Sequence, residues 1–484
     1  MNKHSEIFYD IILPKYNEFL SINDDIKSTI NDIIESKYNE DDSEFKRATN
    51  LFTDEEEIDN DFNILKFFIS HRNTFVFNDH TPALRLYRQT NTTPKGLLEL
   101  YKKNPSEKLE KIIKLHIDVI CYDGFFLNNH SNHCLDQIIS IIKYNDLFND
   151  IKNIDTYISL FQEYVDTCYT KNGIHIENSP YYHYYSVRQL YNVLDDITQK
   201  KVLNYLYLCL APNKQLINIG DGDFIPFFEA DKNTILKDIQ KKVDNYNEEQ
   251  GFFYFDCGHL IIKYEDIYFF MKSSLKHTWH HHYDNNSFIL FYKNYNFFID
   301  AGMHSYEYKS FGRKFVTSPQ AHNLFVLNDN NLLQKIHTNL YHCDSVKINE
   351  NTYKFVTEYY KNINYERTIK YDNTKKIFNF TDRVGVVPSD YKYYYILFHL
   401  NKNVQVSIKT NKIHIEIDNV RIILELMEET NLESIQNILD GDFEGMHIGY
   451  NSPDRNIIIK IPTIVFKFKN NNIENKHSFH ISLL

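Results

Sequence analysis

The feature that most constrains the fold of this 484-residue chain is a change in hydrophobic periodicity near residue 245. Before it, apolar residues recur at three- and four-residue spacing, as in 96–122 and 185–210, which is typical of amphipathic helices. From Gly251 onward, short runs rich in Tyr, Phe, Ile and Val predict strands. Because helices precede strands without alternating with them, we expect a helical domain at 1–245 and an antiparallel β-sandwich at 246–484.

Charge and cysteine content exclude several classes of protein. A net charge of −12 argues against nucleic acid or an anionic membrane as a partner. The six cysteines form no CxxC pair, which fits neither a disulfide scaffold nor a cysteine zinc site. Glu6 and Asp10 interrupt the segment where a signal peptide needs an apolar run. We therefore expect a cytoplasmic location, or a secreted or periplasmic one if a leader precedes this sequence.

The densest group of chemically active side chains is the segment KHTWHHHYD. Read as a strand, it places His280, His282 and Asp284 on one face. The next strand ends at Asp300, and His322 begins a later one. Two imidazoles and a carboxylate on neighbouring strands predict a divalent-metal site of zinc type at His282, Asp300 and His322. The common alternative in a chain with 22 histidines is a buried imidazole satisfied by backbone or tyrosine hydroxyls.

Two polar segments of the helical half are further candidates. Asn129, His130, Asn132 and His133 crowd the start of a helix, where donors and the helix dipole can receive a carboxylate. Helix capping explains such residues equally well. In the segment GIHIENSPYYHYY, adjacent Tyr and His could serve as a proton-transfer pair, or the rings could simply pack on a neighbouring helix.

Taken in order, these segments resemble the heparinase II/III-like polysaccharide lyases over most of the chain. The family pattern N-H-G is matched by NHCLDQ, E-x-S-P-x-Y-H by ENSPYYH, and H-x-H-x-D, D-x-G and A-H-N by HHHYD, DAG and AHN. Cys134 stands where the family has Gly. The resemblance implies an incomplete (α/α) toroid followed by an antiparallel β-sandwich, with the active site in the cleft between them.

The resemblance also implies roles for individual residues. It gives catalytic roles to Tyr182, His280, His133 and Asn132. The metal ligands that it implies are again His282, Asp300 and His322. Asn129 and His130 are the rival match to Asn132 and His133 as the pair that neutralises a uronate carboxylate.

An anionic substrate has to be received by a local positive or polar patch, because the net charge is negative. The segment around His80 and Arg85 resembles the family's arginine-bearing early helix. The substrate-binding candidates are Arg85, His80, Asn129, His130, Glu177, His183 and Arg313.

The predicted function is cleavage of a uronate-containing polysaccharide by β-elimination. This chemistry blunts the carboxylate charge, removes the C5 proton and protonates the departing O4. Tyr182 can be base and acid in a syn elimination, or acid opposite a His280 base in an anti elimination, and the sequence leaves both open. The first alternative function is a glycoside hydrolase with Asp221 and Asp223 as its carboxylates. The second is a glycan-binding protein whose many Tyr and Phe rings stack on sugars.

Overall fold

The computed structural model describes residues 94–95, 97–98, 101–103, 105–121, 132–177, 179–190, 194–222, 249–255, 257–273, 282–305, 310–328, 343–428, 430–454 and 456–484. The chain divides into two compact units, Met1–Cys168 and Tyr169–Leu484. None of the helices within these described ranges combines the length and the apolarity that a membrane crossing requires.

The first unit contains helices α1 (Glu107–Ile120), α2 (Asn132–Phe148) and α3 (Ile154–Cys168). The buried residues of α2 include Leu135, Ile138 and Ile139, which recur at helical spacing. Buried among them, Lys95 donates to Asp136 of α2. The helices that the periodicity of this half predicts are therefore present in the described residues, and residues 134–141 of α2 are buried on all sides.

The second unit begins with helices α4 (Pro180–Leu190) and α5 (Asp196–Leu208), and α6 (Phe311–Thr317) follows later. Pro180 fits the first position of α4, where its missing N–H costs no hydrogen bond. Asp195 caps α5 by accepting from the backbone N–H groups of Ile197 and Thr198.

The remainder of the second unit is built of antiparallel strands. They are β1 (Gly251–Phe255), β2 (His259–Tyr264), β3 (Ile267–Lys272), β4 (Phe288–Tyr292), β5 (Tyr295–Phe298), β6 (Phe325–Val326), β7 (Cys343–Asn349), β8 (Thr352–Tyr360), β9 (Ile363–Asp372), β10 (Ile377–Val384), β11 (Tyr393–His399), β12 (Gln405–Lys409), β13 (Lys412–Ile417), β14 (Val420–Leu426), β15 (Leu432–Ile438), β16 (Asp442–Phe443), β17 (Met446–His447), β18 (Tyr450–Asn451), β19 (Ile459–Lys460), β20 (Thr463–Lys469) and β21 (Asn475–Leu483).

These strands form three larger sheets, in the orders β1-β2-β3-β4-β5, β12-β13-β14-β21-β10-β9-β8-β7 and β15-β20-β11-β6. Along β9, buried residues alternate with less buried ones, as expected for a strand with one face on a core. All six residues of β3 are buried, so this strand is covered on both faces. Apolar residues of the three sheets share one core, which is the sandwich that the strand-rich second half predicts.

Polar contacts anchor α5 on the five-stranded sheet. The hydroxyl of Tyr205 lies 2.7 Å from His259 Nδ1. Two residues further along α5, Tyr207 accepts from Lys263 Nζ at 2.7 Å. Since these side chains are buried, the hydrogen bonds fix the position of the helix on β2.

Candidate functional site

Asp221 connects two of the motif-bearing segments of the second unit. Its backbone carbonyl accepts from the hydroxyl of Ser179, in the segment ENSPYYH. Its carboxylate accepts from His282 Nε2 at 2.9 Å and from both terminal nitrogens of Arg313. Only 1% of Asp221 is exposed, and this buried residue joins the start of α4, through its backbone carbonyl, to the histidine-rich segment, through its carboxylate.

The neighbouring Gly222 makes this approach close. A Cβ at Gly222 would lie 2.7 Å from Tyr181 Cβ, nearer than real Cβ contacts come. A glycine is therefore required where the turn at Gly220–Gly222 meets the first turn of α4.

His282 lies in a turn that precedes β4, so the strand predicted over KHTWHHHYD is wrong for its described residues, 282–284. Tyr283 N donates to Thr317 O, and Ser287 N donates to Asp284 O at 3.0 Å, which closes the turn. Asn286 adopts φ 68°, a left-handed conformation that Asn tolerates better than most residues. Local turn chemistry therefore overrides the aromatic character that favoured a strand.

His322 is a second buried imidazole near His282. It follows α6 and the 3-10 turn Pro319–Ala321, and its Nδ1 donates to Asp300 Oδ2 at 2.8 Å. The centroids of the two imidazole rings are 5.7 Å apart. Burial opposes a charge on His322, but the Asp300 carboxylate outweighs it and raises the pKa of this imidazole. The pKa of His282 is lowered, mainly by burial and against the effect of Asp221.

His282, Asp284 and His322 form the histidine cluster, a group whose ligand atoms lie within 4.8 Å of one another and whose members are all buried. Asp284 therefore takes the place that the sequence assigned to Asp300 in this group. Asp300 instead lies behind His322, where it accepts from the imidazole and from Gly302 N. The predicted strand has His282 and Asp284 on the same face, but no ligand role is predicted for Asp284.

The donor set of the histidine cluster fits a divalent cation. Within the described ranges, His282 Nδ1 and His322 Nε2 are buried without a hydrogen-bond partner. The second nitrogen of each ring donates to a carboxylate, and this arrangement orients metal-ligating histidines in many proteins. Lys272 Nζ lies 2.8 Å from Asp284 Oδ2, so this carboxylate also balances a neighbouring positive charge. Two imidazole nitrogens and one carboxylate are ligands that zinc accepts.

Asn323 ties together the backbone segments that carry these side chains. Its amide nitrogen donates to Phe288 O at 2.7 Å and to Ile299 O at 3.0 Å. Its amide oxygen accepts from His399 N, and its backbone N–H donates to Ser287 Oγ. The residue after His322 thus fixes the starts and ends of the neighbouring strands.

Three predicted substrate-binding residues are buried in the second unit. Arg313 is 5% exposed and forms a bidentate pair with Asp221, so its guanidinium is a structural partner and the predicted place on a substrate-binding rim is wrong. His183 accepts from His175 N through Nδ1 and donates to Val202 O, and burial lowers its pKa to about 4. Glu177 is 1% exposed.

Tyr182, the predicted catalytic tyrosine, lies in the first turn of α4 and is 9% exposed. Its ring packs edge-on against that of Tyr181, with centroids 5.4 Å apart. Through Ser179 and Asp221, the helix that carries Tyr182 is connected to His282.

The structure describes no side chain for the remaining predicted residues. His80, Arg85, Asn129, His130 and His280 lie outside the described residues. Asn132 and His133 begin α2, but their side chains lie outside the described part. Their roles stay predictions.

Sequence reasoning missed the roles of Asp221, Asp284 and Asn323. The sequence predicts Asp221 as a hydrolase carboxylate or as a residue of the glycine turn IGDGD, and neither prediction includes its bonds to His282 and Arg313. Asp284 and Asn323 were part of the matched patterns HHHYD and AHN, and their presence there was the available signal.

Comparison with known proteins agrees with this architecture. The structure is similar to a heparinase III (TM-score 0.66, 15% identity, 89% of this chain and 74% of that chain). It is also similar to a heparan sulfate lyase from Pedobacter heparinus (TM-score 0.64, 14% identity, 93% and 78%). At these identities the likeness shows the fold, which is the predicted (α/α) toroid followed by an antiparallel β-sandwich.

The sequence gives a second, independent line of evidence. No curated protein matches the chain. Residues 248–469 match the family model described as "Heparinase II/III-like, C-terminal", and this range contains the histidine cluster and the strands β1 to β20. The C-terminal domain of this chain therefore belongs to the heparinase II/III-like family.

Proposed function

We propose that this protein is a polysaccharide lyase that cleaves a uronate-containing glycan by β-elimination and leaves a 4,5-unsaturated uronate end. Membership of the heparinase II/III-like family supports this activity. The similar structures carry the names heparinase III and heparan sulfate lyase, so heparan sulfate is the first substrate to test.

The observation that carries the proposal is the convergence on Asp221. One residue binds the segment that bears Tyr182, through Ser179, and the segment that bears the histidine cluster, through His282. These two segments are 100 residues apart in numbering, and each matches a separate pattern of the family. A buried charged residue that holds both together supports a shared site.

The chemistry assigns a task to each group. Tyr182 delivers a proton to the departing O4, and in a syn elimination it first takes the C5 proton itself. In an anti elimination, His280 takes the C5 proton from the opposite face. Asn132 and His133, or their rivals Asn129 and His130, neutralise the carboxylate and so stabilise the charge that develops beside C5.

The proposed cofactor is one divalent cation, most simply zinc, held by His282, Asp284 and His322. When bound, such a cation supplies positive charge and cross-links the turn before β4 to the segment before β6. Asp221 and Asp300 orient the two imidazoles, whether or not the cation takes part in the chemistry.

The hydrolase alternative is weakened by the partners of Asp221. A hydrolase needs two carboxyl groups that face the sugar. Asp221 is only 1% exposed, and its carboxylate is bound by Arg313 and His282. Asp223 lies outside the described residues.

A panel of polysaccharides tests the proposal and separates it from both alternatives. Purified protein is incubated with heparan sulfate, other uronate polysaccharides and a neutral glucan, and ultraviolet absorbance and reducing ends are followed together. A lyase produces both signals on uronate substrates and neither on the glucan. Reducing ends without absorbance would indicate a hydrolase, and binding with neither signal would indicate a glycan-binding protein.

A further inference from the structure

A second buried charged group lies in the interior of the sandwich, and the proposed chemistry does not use it. Arg367 of β9 and Asp382 of β10 are direct partners in the antiparallel register, and both are 0% exposed. Arg367 Nε and Nη2 each donate to one oxygen of the Asp382 carboxylate at 2.7 Å. We call these two residues the Arg367–Asp382 pair.

Stability alone does not explain this pair. Aromatic rings surround the guanidinium, with centroids 5.5–6.0 Å from its carbon, at Phe288, Tyr365, Phe380 and Phe398. In such surroundings, apolar residues of similar volume are often as stabilising as a buried ion pair, because the pair has lost its hydration. The guanidinium therefore calls for a second explanation.

The remaining nitrogen of Arg367, Nη1, bonds to backbone near the histidine cluster. Nη1 donates to Asn286 O at 3.0 Å and to Asn323 O at 2.6 Å. Asn286 belongs to the turn that carries His282 and Asp284, whereas Asn323 directly follows His322. One nitrogen atom thus bridges the two backbone segments of the histidine cluster.

We propose that Arg367 is a positioning residue that fixes the spacing between the His282–Asp284 turn and His322. Asp382 holds the planar guanidinium in one orientation, so both Nη1 hydrogens point in directions set by the sheet. A lysine in this place has no rigid fork and cannot hold the carboxylate and both carbonyls in the same way. The proposal rests on the ligand group proposed above and does not depend on lyase activity.

The test replaces both charges at once. Arg367→Met alone leaves the Asp382 carboxylate buried without its cationic partner and is expected to unfold the sandwich. The double variant Arg367→Met/Asp382→Leu removes the bridge without leaving an unpaired charge, so it is expected to fold. Tyr394→Phe is the matched control, since it removes a buried 2.8 Å hydrogen bond to His477, the neighbour of Asp382 on β21, and leaves both Nη1 hydrogen bonds of Arg367 in place.

Hydrogen exchange of the metal-free proteins, followed by mass spectrometry, gives the deciding result. In the double variant, peptides covering 282–292 and 318–328 should exchange at least ~10-fold faster, because their backbone loses a shared anchor. Peptides from β12 and β13 should be unchanged, and Tyr394→Phe should leave the two cluster peptides unchanged. Equal exchange of the cluster peptides in wild type and double variant, or equal acceleration throughout the sandwich, overturns the proposal.

Zinc titration of the same proteins gives a second measurement. If the chain binds zinc, the double variant should bind it at least ~10-fold more weakly, the usual effect of losing a group that supports metal ligands. Retention of full zinc affinity contradicts the positioning role. If wild type binds no zinc, the cofactor proposal fails by itself, and hydrogen exchange still decides the role of Arg367.

Discussion

Two buried charged groups of the second unit differ in how completely their polar atoms are bonded. Every side-chain nitrogen of Arg367 donates to a carboxylate or carbonyl oxygen. In the histidine cluster, His282 Nδ1 and His322 Nε2 have no partner among the described residues. Buried polar atoms without partners are costly, and here two of them belong to one group of metal-ligand type. The satisfied group is therefore the scaffold, and the incomplete group is the candidate site.

The largest expected effect comes from Asp221, which lies outside the histidine cluster and binds one of its members, His282. Asp221→Ala leaves Arg313 buried without its carboxylate and removes the acceptor of His282. We expect a loss of about 3–5 kcal/mol in the free energy of unfolding, measured in urea.

A matched control for Asp221→Ala is Glu416→Ala, which removes an exposed carboxylate from Arg421 at 2.6 Å. Because exposed pairs contribute little, this variant should lose at most about 1 kcal/mol. Equal losses in the two variants would mean that Asp221 does not hold the segments together.

Metal removal should have the next largest effect. A cation present at a hundred times its dissociation constant stabilises the folded protein by about 2.7 kcal/mol, so a chelator should lower the melting temperature. His322→Ala should have a lower melting temperature that no longer responds to the chelator.

His477→Gln serves as the control for metal removal, because His477 pairs with Tyr394 in the same sandwich and lies outside the histidine cluster. It should keep the bound metal and the chelator response. The proposed cofactor is contradicted if elemental analysis finds no divalent metal in wild type and the chelator leaves its stability unchanged.

The pH dependence of stability should be a smaller effect for each group, because it comes from buried histidines that stay neutral in the folded protein. Burial lowers the pKa of His183 to about 4 and that of His259 to about 3. Below the usual histidine pKa of about 6.5, the unfolded chain binds protons that the folded protein does not. Stability should therefore fall as pH falls from 7 to 5, by up to about 1.4 kcal/mol per pH unit for each such group.

His183→Gln isolates one of these contributions. Its amide can replace both the acceptor toward His175 N and the donor toward Val202 O without titrating. Urea unfolding at pH 7 and pH 5 should show a shallower loss in this variant. An unchanged pH slope would contradict the assignment of His183 as a buried neutral imidazole.

Periodicity and pattern predicted the order of helices and strands, because each element repeats its apolar spacing over many residues. They failed at 282–284, which belong to the turn that contains Asn286 and precedes β4. They also misplaced Arg313, since a charged residue in a short helix is usually exposed and its buried partner Asp221 lies 92 positions away. The local spacing of residues cannot predict a partner that is so distant in the sequence.

Tyr182 is the proposed proton-transfer residue of a lyase, and its neighbour Tyr181 offers the direct comparison. Both rings lie in the first turn of α4 and pack against each other, so Tyr→Phe at either position removes only a hydroxyl. The measurement is the rate of ultraviolet absorbance increase on the best uronate substrate. Tyr182→Phe should lose at least ~100-fold in turnover and Tyr181→Phe should stay near wild type. Near-normal turnover of Tyr182→Phe, with or without a loss in Tyr181→Phe, would contradict the assignment.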